Sequence, residues 1–347
     1  METFLGYGVT TIHNPASNNV AGHIERVLIE KGRMYGPRVY HTGNVLYGST
    51  QPSVYTEINS LADARDALLR IKEEGVDSSF TVKSYQLVPR SARQRLLLEA
   101  AKLGMLVVPE GGWSFDWGLT YFIDGYTSQE HSLPVPELYD DVLSLVEASG
   151  SSYTPLAVMN YGGLFGQHWI HQNEDIPNDA KLRKYVRHDI LESLIEVKQA
   201  PNSSYLFFNT TRSTAKLARR GVRTNVGAHG EQPIGHLCHS EMKMMALGGQ
   251  TPYSVLRSAT IGNAISLGLQ SSVGSIEVGK LADIVIYPPG VNNVQKVWKR
   301  SGHMKFVMRG GIVVSVEDGL VELWPRNDRK QARSPLNPEG VTGVGKT

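Results

Sequence analysis

The sequence predicts an α/β fold of the TIM-like (β/α)-barrel type. Its 347 residues suit one large barrel or two ordinary domains. Short runs with strand character alternate with longer runs at helical spacing, which is typical of βα units around a parallel sheet. An open doubly wound sheet is the alternative, but no G-x-G-x-x-G follows a strand-like run. We therefore favour the barrel, whose functional side chains lie at the C-terminal ends of its strands.

Seven βα repeats follow one another along the chain. Several of the helical runs stop at a glycine, which commonly ends a helix because it tolerates positive φ. The predicted strands lie at 7–15, 37–46, 78–85, 105–112, 126–134, 151–159 and 222–230. The predicted helices lie at 21–32, 61–75, 90–104, 136–150, 182–199 and 213–221.

The last third of the chain has a different pattern. Residues 251–269 have helical spacing, 274–290 contain two β-like runs around a Gly-Lys turn, and 304–325 predict antiparallel strands with a Gly-Gly turn. The end of the chain is polar and rich in Pro and Gly, which is typical of disorder. The predicted organisation is a barrel over 1–270, a partial β-sandwich over 271–325 and a disordered tail over 326–347.

Composition excludes several kinds of protein. The net charge of +2, with 35 Lys and Arg against 33 Asp and Glu, argues against a nucleic-acid surface. Cys238 is the single cysteine, so neither an intrachain disulfide nor a thiolate metal cluster can form. The sequence has no apolar run of about 18 residues and no signal-peptide pattern. We expect a cytoplasmic protein with a small-molecule substrate and no membrane contact; a homo-oligomer remains open.

Two motifs carry a family resemblance. The segment "TPYSVLRSATIGNAISLGLQSSVGSIEVGKLADIVIY" (251–287) resembles the closing segment of the amidohydrolase superfamily, and "YGVTTIHNP" (7–15) resembles that family's second barrel strand. The match runs in order over roughly 8–315 and is nearest to imidazolonepropionase-like and prolidase-like members. It implies a metal-dependent hydrolase that acts on carbon–nitrogen bonds, with zinc as the expected cofactor.

The chain departs from the family pattern at its beginning. Family members carry a His-x-His metal pair on a first barrel strand, and this sequence contains no H-x-H. It opens inside the helix that precedes the second strand. We therefore expect an N-terminally truncated member whose barrel lacks its first strand.

The resemblance gives four residues a predicted role at strand ends. Lys83, in "FTVKSY", stands where the family has a carbamylated lysine that bridges two metals, and His131, in "SQEHSLP", stands where it has a histidine ligand. Glu110, in "VVPEGG", replaces a histidine ligand; a carboxylate there can bind a metal or act as a base. His229, in "GAHG", replaces an aspartate that moves protons, and imidazole can do so near pH 7.

Each assignment has a structural alternative. Lys83 is otherwise an ordinary lysine at a strand end, His131 is otherwise a hydrogen-bonded core histidine, and His229 otherwise marks a lost activity. His41, His236 and Tyr85 are weaker candidates for substrate contacts, because their positions alone suggest them.

Two functions remain open at this point. The first is metal-dependent hydrolysis of a carbon–nitrogen bond in an amide, a cyclic amide or a small peptide-like molecule. The second is a catalytically inactive or truncated homologue that binds a small molecule or a partner. The missing His-x-His and the two replaced residues favour the second, whereas Lys83 and His131 favour the first.

Overall fold

The computed structural model describes residues 1–17, 19–48, 56–75, 80–87, 89–110, 114–196, 199–289 and 303–324. Its helices and parallel strands confirm the α/β class. No helix in these ranges has the length and apolar character needed to cross a membrane. The predicted tail, 326–347, lies outside the described residues.

Short parallel strands form three small sheets in the first two thirds of the chain. Strand β1 (Thr11–Asn14) pairs with β2 (Arg38–His41), and β3 (Leu46–Tyr47), β4 (Thr81–Tyr85) and β5 (Leu106–Glu110) form the second sheet. Strand β6 (Ser128–Glu130) pairs in parallel with β7 (Ser152–Thr154). A single parallel bridge from Tyr153 to Thr224 places the next segment beside β7.

Helices lie before, between and after the parallel strands. They are α1 (Glu2–Gly6), α2 (Asn19–Glu30), α3 (Leu61–Gly75), α4 (Arg90–Lys102), α5 (Phe115–Asp124), α6 (Asp140–Ser149), α7 (Gly166–Asn173), α8 (His188–Ser193), α9 (Phe207–Arg219), α10 (His236–Leu247), α11 (Pro252–Arg257) and α12 (Asn263–Ser266). Short 3-10 turns lie at Ala157–Met159, Leu182–Lys184 and Asn202–Ser204, and a π-helical turn at Ser258–Gly262 joins α11 to α12.

Local sequence explains several helix ends. The Ser114 side chain accepts a hydrogen bond from Trp117 N at the start of α5, and Thr251 caps α11 in the same way through Ser254 N. Helices α5 and α6 end at Gly125 and Gly150, whose φ angles of 89° and 70° lie in the left-handed region. Caps of this kind are readable from sequence because the residue type and the geometry coincide.

The C-terminal residues form a separate antiparallel sheet in the order β11-β10-β9-β8. Its turn at Gly310–Gly311 has positive φ at both residues, as the sequence predicted. Only one strand, β8, appears between 274 and 289, where we expected two. The strands are β8 (Ile284–Ile286), β9 (Phe306–Arg309), β10 (Ile312–Ser315) and β11 (Val321–Trp324).

Some element predictions were wrong. The long helix predicted over 182–199 is a 3-10 turn followed by α8, because Arg187 is extended with φ −59° and ψ 142°. The helix predicted over 213–221 begins six residues earlier, at Phe207. The strand predicted over 222–230 makes only the bridge at Thr224, and α7 was missed altogether.

Candidate active site

Side-chain alternation directs the candidate residues to one side of the parallel strands. Val82 and Val107 pack into the core that α3 and α4 share with β4 and β5. Successive side chains on a strand point to opposite faces, so Lys83 points away from those helices. Glu110 lies two residues after Val108, whose register partner is Lys83. Lys83 and Glu110 therefore lie on the face opposite the helices.

Lys83 and Glu110 form a buried ion pair. Lys83 Nζ donates to Glu110 Oε2 at 2.6 Å, and the two side chains are 4% and 10% exposed. Tyr161 OH donates to the other oxygen, Oε1, also at 2.6 Å. Burial alone would raise the pKa of Glu110, but Lys83, His131 and Tyr161 outweigh it and lower the pKa to about 2. Glu110 is therefore ionised at neutral pH.

His131 presents a nitrogen lone pair to this carboxylate. Its Nδ1 lies 3.2 Å from Met159 O, and a carbonyl oxygen only accepts, so Nδ1 carries the proton. Burial, opposed by Glu110, lowers the His131 pKa to about 4, so the ring is neutral at pH 7. Nε2 is then an acceptor that faces Glu110 Oε1 across 3.5 Å. Two acceptors face each other there, an arrangement that a cation between them would stabilise.

The Glu110 and His131 donors fit a divalent cation. Ligand bonds of about 2.0 Å at a tetrahedral zinc put two ligand atoms about 3.3 Å apart, close to the 3.5 Å between His131 Nε2 and Glu110 Oε1. A metal-binding histidine commonly donates its other N–H to a backbone carbonyl, as His131 does. No three His, Cys, Asp or Glu side chains in the described ranges are grouped to hold a metal. Carbamylated Lys83 would add a third donor beside Glu110.

His229 lies beside His131 and is held by its own loop. The two rings meet edge to face with centroids 5.3 Å apart. His229 Nδ1 lies 2.8 Å from both carboxylate oxygens of Glu231. The carboxylate can only accept, so Nδ1 carries a proton and donates to Glu231. The pair is about one third exposed, which leaves it accessible to a substrate.

Four non-glycine residues with positive φ follow the parallel strands. His131 has φ 66° directly after β6, Leu156 has φ 50° two residues after β7, and His229 has φ 56° after the Thr224 bridge. The fourth is Gln86, directly after β4. Such conformations cost about 1 to 3 kcal/mol each and cluster at functional sites. Two of the four residues, His131 and His229, belong to the candidate site, so backbone strain is present at this site.

The weaker candidates differ in how close they lie to the candidate-site cluster, which consists of Lys83, Glu110, His131 and His229. The Tyr85 ring is on β4, with Lys83 Nζ 5.9 Å from its centroid, so Tyr85 borders the site. His41 is fully buried at the end of β2, where its Nδ1 accepts from Gly43 N. His236, at the start of α10, pairs with Glu174 at 3.3 Å. The structure thus places Tyr85 next to Lys83, whereas the printed partners of His41 and His236 are Gly43 and Glu174.

Sequence reasoning missed two residues of the cluster. Tyr161 lies seven residues after β7 in an irregular loop, where no periodicity marks it. Glu231 was visible two residues after His229, a spacing that permits a local side-chain contact in a turn. A histidine followed two residues later by a carboxylate was the one available signal.

Parts of the sequence match a known protein family and curated relatives. The Amidohydrolase family profile matches residues 179–314. A 5-methylthioadenosine/S-adenosylhomocysteine deaminase from Symbiobacterium thermophilum is 31% identical over 48% of this chain and 38% of its own length. An imidazolonepropionase from the same organism is 44% identical over 15% of each chain. The matches thus span well under half of these curated relatives.

Solved structures extend the similarity over nearly the whole chain. A Xaa-Pro dipeptidase with bound methionine in its active site superposes with a TM-score of 0.66 at 17% identity, covering 90% of this chain and 76% of its own. That level of identity supports the fold alone. The profile match over 179–314, which includes the motif at 251–287, places this part of the chain in the amidohydrolase family, and the solved structures show a shared fold.

Proposed function

We propose that this protein is a divalent-metal-dependent hydrolase of a carbon–nitrogen bond in a small amide, cyclic amide or dipeptide-like molecule. The observation that carries the proposal is the neutral His131 Nε2 facing the ionised Glu110 Oε1 at 3.5 Å. The names of the similar proteins support the substrate class, since they include a deaminase, an imidazolonepropionase and a Xaa-Pro dipeptidase. We also propose that the parallel strands belong to a TIM-like barrel.

Each residue of the cluster has one task in this proposal. His131 and Glu110, with carbamylated Lys83, would hold the cation, for which zinc is the first candidate. A cation held there would supply Lewis-acid chemistry toward the scissile carbonyl and a water. His229 Nε2 accepts the proton of the attacking water and returns it to the leaving nitrogen. Glu231 fixes the tautomer that this transfer requires.

A second function is favoured by one observation. The Lys83 ammonium already neutralises Glu110 at 2.6 Å, so the unmodified chain has a complete ion pair where the cation would be held. In that state the cluster would serve a homologue that binds a small molecule without turnover. The state of Lys83 therefore decides between the two functions.

The test measures carbamylation and turnover together. The full chain is loaded with zinc in the presence of ¹³C-bicarbonate, and ¹³C NMR reports whether a carbamate resonance forms. The same sample is assayed for amine release from a panel of Xaa-Pro dipeptides, N-acyl amino acids and cyclic amides. We expect a carbamate signal, about one equivalent of bound zinc and turnover of at least one class.

Matched variants make the result specific. Lys83→Arg keeps the positive charge but cannot form the carbamate, so the resonance and turnover should both disappear. Lys72→Arg makes the same change at an exposed lysine on α3 and should alter neither. If wild-type protein binds no zinc and releases no amine, the hydrolase proposal is rejected, and the alternative of a non-catalytic small-molecule-binding homologue is retained.

A further inference from the structure

We infer that Tyr161 is a positioning residue that fixes both predicted cation ligands, Glu110 through its hydroxyl and His131 through its ring. The inference rests on the proposed function, because those two side chains are the proposed ligands. It adds a residue that neither the motifs nor the family resemblance indicated.

The hydroxyl contact fixes the carboxylate. Tyr161 OH donates to Glu110 Oε1 at 2.6 Å, and this is the oxygen that faces His131 Nε2. In the unmodified chain Lys83 holds the other oxygen, so the carboxylate has a donor at each end. After carbamylation of Lys83, the Tyr161 hydroxyl is the one of these two donors that still holds Glu110. The phenol donates and the carboxylate oxygen accepts in this contact.

The ring contact fixes the imidazole. The Tyr161 and His131 rings stack with centroids 4.3 Å apart and planes 28° apart. The backbone carbonyl of Met159, two residues before Tyr161, accepts a hydrogen bond from His131 Nδ1–H. One short segment after β7 therefore holds His131 at its face and at its edge, which directs Nε2 toward Glu110.

The segment that carries Tyr161 is itself anchored. Ala157 N and Val158 N donate to the two carboxylate oxygens of Glu241 on α10, at 2.8 and 3.0 Å. Asn160 Oδ1 accepts from Thr210 OH on α9 at 2.7 Å. These buried contacts set the position of the Tyr161 backbone, so the ring and the hydroxyl reach the ligands with little freedom.

The two contacts can be removed separately. Tyr161→Phe deletes the hydroxyl and keeps the stacking ring, whereas Tyr161→Leu deletes both. Groups that orient metal ligands commonly change metal affinity by about 10- to 100-fold. We expect the zinc Kd to rise roughly 10-fold in Tyr161→Phe and toward 100-fold in Tyr161→Leu, measured on the full chain by competition with a chromophoric chelator.

A matched tyrosine supplies the control. Tyr205 is 2% exposed, and its hydroxyl donates to Gln172 Oε1 at 2.9 Å rather than to a proposed cation ligand. Tyr205→Phe removes a comparable buried hydrogen bond and should leave the zinc Kd unchanged. Equal zinc affinity in wild type and Tyr161→Leu would overturn the inference.

A second measurement separates this inference from the proposed function. Urea midpoints are compared for Tyr161→Phe, Glu110→Leu and the double variant, without metal. A real hydroxyl–carboxylate contact makes the double shift smaller than the sum of the single shifts. Additive shifts overturn the positioning role even if zinc binds. If wild type binds no zinc but the shifts in urea midpoint of the variants are coupled, the metal-dependent function is rejected and the Tyr161–Glu110 contact is supported.

Discussion

At the residue scale, Glu110 is the centre of the candidate site. It receives one hydrogen bond from Lys83 and one from Tyr161, and His131 stands against one of its oxygens. A carboxylate this deeply buried stays ionised only with such partners. Its stability and its proposed chemistry therefore depend on the same three neighbours.

The buried ion pair gives a stability prediction. Lys83→Met leaves the buried Glu110 carboxylate without the Lys83 ammonium. We expect this change to lower the free energy of unfolding by about 3 to 5 kcal/mol. The double variant Lys83→Met, Glu110→Leu removes both charges and should lose much less than the sum of the single losses. Urea unfolding without metal measures both.

A surface ion pair provides the comparison for that prediction. Asp189 pairs with Arg187 at 2.6 Å, but their side chains are 62% and 78% exposed. Asp189→Asn should leave the unfolding midpoint unchanged, because solvent screens exposed pairs. A Lys83→Met loss no larger than that of Asp189→Asn would mean that Lys83 and Glu110 are not paired in solution.

The His229–Glu231 pair gives a catalytic prediction. Glu231→Gln removes the charge that fixes the Nδ1–H tautomer, so kcat should fall roughly 10- to 100-fold while the zinc content stays the same. His188 and Glu192 form a similar pair at 3.0 Å on the exposed surface of α8. Glu192→Gln makes the same change there and should keep full kcat. Loss of zinc in Glu231→Gln would show instead that Glu231 acts on the metal site.

At the scale of elements, the segments that follow the parallel strands carry the site. Lys83 and Glu110 are on β4 and β5 themselves, whereas His131, Tyr161 and His229 lie beyond the ends of strands. At His131 and at His229, the left-handed backbone turns the polypeptide sharply after the preceding strand segment. Strands β4 and β5 thus position the Lys83–Glu110 ion pair, and the turns with positive φ position His131 and His229 beside it.

The C-terminal sheet joins the parallel strands through another buried ion pair. Arg38, the first residue of β2, donates to Asp283 at 2.8 Å, and both side chains are 7% exposed. Asp283 also accepts from Gly310 N at 2.8 Å, in the turn between β9 and β10. Asp283, which ends the "GKLAD" stretch at 279–283, therefore has a structural role.

This ion pair gives a prediction for one sheet. Asp283→Asn leaves Arg38 buried without its charge partner, so hydrogen exchange should speed up at the amides of β9 and β10 while those of β4 and β5 stay protected. Asp318 pairs with Lys184 but is 83% exposed, so Asp318→Asn should change neither sheet. Uniform loss of protection in Asp283→Asn would show that the two sheets unfold together.

At the scale of the whole molecule, a bound cation should stabilise the folded chain. Its proposed ligands come from β4, β5 and the turn after β6, which are close together only when the chain is folded. Binding to the native state alone adds about 2.7 kcal/mol when free zinc is 100 times Kd. We expect zinc to raise the Tm of wild type, EDTA to reverse it, and His131→Asn to abolish the increase. An equal zinc shift in His131→Asn would place the metal elsewhere.

The sequence by itself determined the α/β class, many of the helices and the family resemblance of residues 179–314. Helical spacing and caps specify helices such as 61–75 locally, because each depends on neighbours within one turn. The long motif at 251–287 determined the family, and the order of the strands then predicted Lys83, Glu110, His131 and His229. The structure brings these four together, although their roles remain predictions.

Only the tertiary structure decided how those residues meet. The Lys83–Glu110 pair, the tautomer of His131 and the contacts of Tyr161 join residues 27 to 51 positions apart, and no local pattern records them. The break at Arg187 inside a predicted helix has the same cause, since tertiary packing overrides local propensity. Local sequence encodes elements, whereas distances between side chains on different strands arise only when the chain is folded.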